Sequence, residues 1–204
     1  MSGVSFAPAP YFYRCPFNSK SEEECGERSA LALKDVIKYH TSNNVSAFIA
    51  EPVLGEGGII VPPNNYFKII KQILDENKIL FIADEVQTGI ARTGKLLCCQ
   101  HEGVRPDITL LGKALSGGTF PISAVLCDPP IMECFQPGDH GSTFAGSPLA
   151  CHVALASLEV VVDEKLSENA ARMGEIFRTG LREIKSPLIK EVRGKGLLNA
   201  IVCD

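Results

Sequence analysis

The chain has 204 residues, of which 45% are hydrophobic and 22% charged, a length and balance that fit one globular domain with part of a second. A net charge of -4 with scattered Lys and Arg gives no basic field for nucleic acid or an anionic membrane surface, so small molecules and further subunits are the expected partners. The eight cysteines, 15, 25, 98, 99, 127, 134, 151 and 203, show no CxxC pair and no regular spacing, which points to reduced, mostly buried thiols and not to a zinc cluster or a disulfide framework.

Residues 1–27, with Pro8, Pro10 and Pro16, carry neither periodicity and are expected to be extended or looped. Apolar residues at helical spacing predict a helix over Ser29 to His40. VSAFIAEP, Val45 to Pro52, reads as a buried strand that stops at its proline. After the loop GEGGII and Pro62–Pro63, Asn64 to Lys78 is expected to be an amphipathic helix capped by an asparagine. Ile79 to Asp84 is the next strand, completing a βαβ unit that favours parallel pairing with a right-handed crossover. DITLLG, Asp107 to Gly112, and PISAVLC, Pro121 to Cys127, supply two further strands of an α/β core. From Ser147 the pattern becomes a long helical run with a break near Asp163, and VRGKGLLNAIVCD reads as a strand entering a second lobe. The expected division is 1–27 extended segment, 28–160 large-domain core and 161–204 linking helix with the start of a small domain. No apolar run is long enough to cross a membrane, and residues 1–20 lack the charged start and apolar block of a signal peptide.

In open α/β sheets ligands collect at the carboxyl ends of parallel strands, where loops bear functional groups above a rigid sheet. Glu51, Asp84 and Lys113 all fall at or just beyond such ends. Asp84 has the bland reading of a turn acid, but five apolar residues precede it, so a buried carboxylate in need of a partner is expected. Lys113 has the bland reading of a surface lysine, yet LLG precedes it and ALSGG follows. Desolvation there would favour the neutral amine that attacks carbonyls. A phosphate-loop lysine does not fit, because alanine follows Lys113 and no glycine stands at the required spacing before it. The pair suits pyridoxal phosphate: an amine forms a Schiff base with the aldehyde, and a carboxylate keeps the pyridine nitrogen protonated.

HGSTFAGSP, His140 to Pro148, sets Ser142 and Thr143 among glycines ahead of a helix, a phosphate cradle or an ordinary cap. Glu51 and Glu56 in EPVLGEGG read either as structural ion pairs or, for Glu56, as a partner for a substrate amine or a guanidinium. The four histidines form no metal-ligand spacing, and no metal is expected.

EPVLGEGG, LFIADEVQTGIARTGK, RPDITLLGKALSGG and HGSTFAGSPLAC, in that order, resemble the class III pyridoxal-phosphate aminotransferases, the group of the ornithine, acetylornithine, 4-aminobutyrate and alanine–glyoxylate enzymes. The likeness runs from about Tyr11 to the end. It implies fold type I: a mostly parallel sheet flanked by helices, followed by the start of a small α/β domain. It also implies ping-pong transfer of an amino group from an amino acid or ω-amino acid to a 2-oxo acid. By position, Lys113 matches the Schiff-base lysine and Asp84 the acid on the pyridine nitrogen. Val86 matches the residue packed on the ring, and Gln87 the donor near the phenolic oxygen. Thr143, with Ser142 beside it, matches the hydroxyl that reaches the phosphate of a neighbouring subunit's cofactor, which implies a homodimer. Glu56 matches a glutamate that pairs with an arginine in the ornithine and 4-aminobutyrate branch. Family members run to roughly twice this length, so the chain reads as a partial one lacking an N-terminal phosphate loop and a C-terminal carboxylate-binding arginine. The cytoplasm is the expected compartment, with the mitochondrial matrix left open. Two rival readings remain: a non-catalytic fragment, and a racemase or decarboxylase on the same scaffold. LLGKALSGG and PISAVLCDPPIM read closest to the ornithine enzymes, whereas the N-terminal motifs resemble broader relatives, and no substrate is named from them.

Overall fold

The computed structural model describes residues 3–204. The first helix, α1, spans Glu22–His40. Ser21 caps it, its hydroxyl accepting from Glu24 N, and three glutamates in the first turn face the positive end of the helix dipole. Residues 22–27 are therefore helical, which corrects the expectation of an extended segment up to residue 27. Cys25, Ser29, Ala30 and Leu33 form its buried face.

β1, Ala47–Ala50, leads through α2, Tyr66–Glu76, to β2, Leu80–Asp84. Asn65 stands at the N-cap of α2 without capping it; its side-chain amide donates 3.0 Å to Glu23 O instead, tying α2 to the start of α1. β3, Ile108–Leu111, and β4, Ala124–Cys127, complete a four-stranded sheet in the order β1-β2-β3-β4. β1, β2 and β3 run parallel; β4 runs antiparallel to β3, with Leu111 opposite Ala124. A short helix, α3, Pro129–Met132, follows β4.

Directly paired residues share a face of a sheet. Phe81 and Ala83 point into the main core, where Phe67 of α2 stacks on Phe81 at 5.6 Å and Ile70, Ile73 and Leu74 close the layer. The opposite face carries Ile49, Ile82, Asp84, Leu110 and Val125; Ile49 is 59% and Val125 55% exposed. Asp84 thus stands on the open side of the sheet, at the carboxyl end of its strand.

The helical run breaks as its sequence suggests. α4, Pro148–Asp163, and α5, Leu166–Glu183, are separated by Lys165 in the left-handed region, φ 51°. The C-terminal segment is a hairpin and not a single strand: β5, Ile189–Lys195, pairs antiparallel with β6, Leu198–Cys203, as a separate two-stranded sheet. Gly196, φ 54°, makes the turn. It is wedged between two other backbones: a Cβ there would stand 2.4 Å from Thr93 C, and a Cβ on Gly174 of α5 would stand 1.8 Å from Gly196 O. Leu197 N donates 2.9 Å to Arg92 O, and the buried Arg178 guanidinium donates to Gly196 O and Asn199 Oδ1 at 2.9 and 2.7 Å. Among the described residues no helix is long and apolar enough to cross a membrane.

Candidate active site

The parallel register brings two sequence segments to one edge. Asp84 is level with Leu110, so the turn after β3, Gly112 and Lys113, opens beside the end of β2. Val86 packs against Gly112, where a Cβ would meet Val86 Cγ1 at 3.4 Å. A cleft of about 980 Å³ lies above this edge, lined by Val86, Gln87, Ile90 and Arg92 on one side. Lys113, Ser116, Gly117 and one face of α4 line the other.

Asp84 is half-buried; its Oδ1 accepts from Val86 N at 3.1 Å, and among the described residues no cation pairs with it. A carboxylate held in this way and lacking a positive neighbour is suited to receive one from a ligand. Lys113 opens a single helical turn, Lys113–Ser116, with φ 43°. A non-glycine residue in that region stores local strain and marks a site where geometry is imposed. The side chain is exposed, which corrects the expectation of a desolvated lysine: apolar neighbours bury Leu115 and Ser116 and leave the amine at the cleft mouth.

The remaining candidates sit differently. Ser142 and Thr143 lie in an exposed loop ahead of α4 and do not line the cleft. Glu56 is exposed in the tight turn between Gly55 and Ile59, also away from the cleft lining. Glu51 is in no ion pair among the described residues; its Oε2 accepts from Gly55 N at 2.9 Å. Gly55 in turn leaves room for Gln87, whose Oε1 lies where a Cβ would be. No group of residues that could hold a metal ion occurs among those described.

The residue that sequence reasoning passed over is Glu85. It is 1% exposed and both carboxylate oxygens accept: Oε2 from Thr88 Oγ1 at 2.6 Å and Cys98 N at 2.9 Å, and Oε1 from Cys99 N at 2.9 Å. Burial, then the Glu85 charge, pushes the Cys98 thiol up to about 12 and Cys99 in the same direction. Two consecutive acids at a strand end were the available signal, because adjacent residues point to opposite sides and only one can face the cleft.

The whole chain, residues 1–204, matches the family profile described as Aminotransferase class-III. It belongs to the class III aminotransferases. Among relatives in this family, the mitochondrial ornithine aminotransferase of Drosophila ananassae is 54% identical over 173 residues, covering 85% of this chain and 39% of that protein. The ornithine aminotransferase structure from Toxoplasma gondii, described as having partial occupancy of PLP at its active site, superposes with a TM-score of 0.82 at 49% identity. That match covers 86% of this chain and 41% of the other. The acetylornithine aminotransferase of Elizabethkingia anophelis gives 0.82 at 53% identity, covering 86% and 44%. This class III chain therefore spans about two fifths of the length of the relatives it matches. The fold-type expectation holds: an α/β chain with a mostly parallel sheet flanked by helices.

Proposed function

We propose that the chain carries the cofactor-binding core of a pyridoxal-phosphate-dependent aminotransferase. The observation that carries this reading is the sheet edge that Asp84 and Lys113 share: a half-buried carboxylate with no cation paired to it among the described residues, at the end of β2, and, beyond the neighbouring β3, a lysine strained into the mouth of a cleft shared with Val86 and Gln87. The residues fit a flat cationic heterocycle, with an anionic anchor, an apolar wall and an amine on one strand edge.

Bound pyridoxal phosphate would supply an aldehyde and a ring that accepts electrons from a substrate carbanion. Asp84 would be the carboxylate that keeps a proton on the ring nitrogen. Val86 would offer an apolar packing surface to the ring, and Gln87 an amide donor. Lys113 Nζ would be the amine that holds the aldehyde and the base placed to move a proton at the substrate carbon. Ser142 and Thr143, exposed and outside this cleft, are placed by the same reading on the phosphate of a second subunit's cofactor, so the working unit is a homodimer. Glu56, exposed and outside this cleft as well, is assigned by the same reading to a substrate amine or a guanidinium at the assembled site. The substrates are an amino acid or ω-amino acid and a 2-oxo acid; the ornithine and acetylornithine aminotransferases among its relatives support that class.

The test is a titration of the chain with pyridoxal phosphate. A visible absorption band is expected and should vanish in Lys113→Ala with the circular dichroism unchanged. No band in the parent chain, or one that survives in Lys113→Ala, overturns the reading. Cofactor binding without amino transfer would place the chemistry in segments beyond this chain.

A further inference from the structure

We infer that Glu85 is a positioning residue for the cofactor, acting through the loop it closes; this rests on the function proposed above. The chain leaves the sheet at Asp84, passes Val86 and Gln87 in the cleft wall, and returns at Cys98 and Cys99. Between these points two consecutive non-glycine residues, Ile90 and Ala91, adopt φ 53° and 69°. Such backbone persists only where its surroundings over-determine it. The ties are visible: Gly89 N donates 2.8 Å to Glu85 O, Ala91 N 3.2 Å to Leu96 O, and the Glu85 carboxylate grips Cys98 N and Cys99 N.

Glu85 N itself donates 3.1 Å to Leu110 O, fastening the same residue to β3, three positions before Lys113. One residue thus joins the strand ending in Asp84, the loop bearing Val86 and Gln87, and the strand leading to the lysine. Its carboxylate accepts all three bonds with no proton of its own, which an amide cannot reproduce, because one of its two ends is itself a donor. Glu85→Gln keeps the volume and sets that donor against a backbone N–H. The loop is then expected to open at Cys98 and Cys99 while the sheet stays formed.

The experiment compares the 204-residue chain with Glu85→Gln, Thr88→Val and Lys113→Ala by amide hydrogen exchange without cofactor and by pyridoxal phosphate titration. In Glu85→Gln the Cys98 and Cys99 amides should exchange at least tenfold faster, with Ile82 and Ala83 unchanged, and the dissociation constant should rise at least tenfold. Thr88→Val removes one of the three bonds and should raise that constant about threefold; it decides the matter if Glu85→Gln does not fold. Unchanged affinity in a folded variant overturns the positioning role, as does faster exchange throughout the sheet, which would make Glu85 a folding residue only. A parent chain without a Lys113-dependent band sinks the proposed function instead, a result distinct from either.

Discussion

At the scale of single residues, the end of β2 shows two acids side by side with opposite fates. Among the described residues the Asp84 carboxylate accepts one hydrogen bond and the Glu85 carboxylate three. The sequence shows DE at a strand end, and alternation tells that one acid faces inward, but only the returning Cys98–Cys99 turn reveals what the inward one holds. A half-buried acid elsewhere makes a pH test. Desolvation pushes Glu102 up to about 6 from an ordinary 4.5, against the pull of its bond from Lys68 N and the charge of Lys195. A raised carboxyl pKa means the folded chain holds a proton better than the unfolded one. Its stability is therefore lower above pH 6 and recovers as the pH falls below 4.5. Glu102→Gln keeps an acceptor for Lys68 N, so a gain on the order of 1 kcal/mol is expected at pH 8, vanishing near pH 4. Urea unfolding at the two pH values checks it; a loss at pH 8 would show the charge to be useful.

At the scale of elements, legibility followed apolar periodicity. β1 to β4, α2 and the break between α4 and α5 all carry apolar runs or helical spacing in their sequences, and all lie within two or three residues of their expected positions. The start of α1 lacks such a pattern, since EEECGERS is mostly polar, yet the Ser21-x-x-Glu24 cap was there to be read, with Glu24 Oε2 accepting from Lys20 N at 2.7 Å. The hairpin was read as one strand because its turn residue, Gly196, is legible only once its neighbours are known. Gly174 tests that packing. Glycine to alanine inside a helix normally gains roughly 1 kcal/mol, but here the new methyl would collide with Gly196 O. Overpacking costs about 1–3 kcal/mol and should win, so Gly174→Ala is expected to lower the unfolding midpoint. A higher midpoint would show that the hairpin has room to yield.

At the scale of the molecule, both outer strands of the sheet have an open edge among the described residues: β1 and β4 each pair on one side only. Ile49, Val125, Leu126 and Phe144 are 59%, 55%, 49% and 83% exposed. Open strand edges with apolar flanks favour association. Sedimentation over a tenfold concentration range is expected to show dimers or larger species; a monomer throughout would count against the shared-site homodimer proposed for Thr143. The same surface explains why the candidate site was only partly readable: Asp84 and Lys113 declare themselves within one sheet, whereas Ser142, Thr143 and Glu56 point to surroundings outside the cleft. The wedge at Gly196 has a mechanical consequence. Where three main chains touch with no side chain between them, there is no compressible cushion, so a shift of the terminal ribbon is expected to carry its supporting helix and the Arg92–Thr93 segment with it.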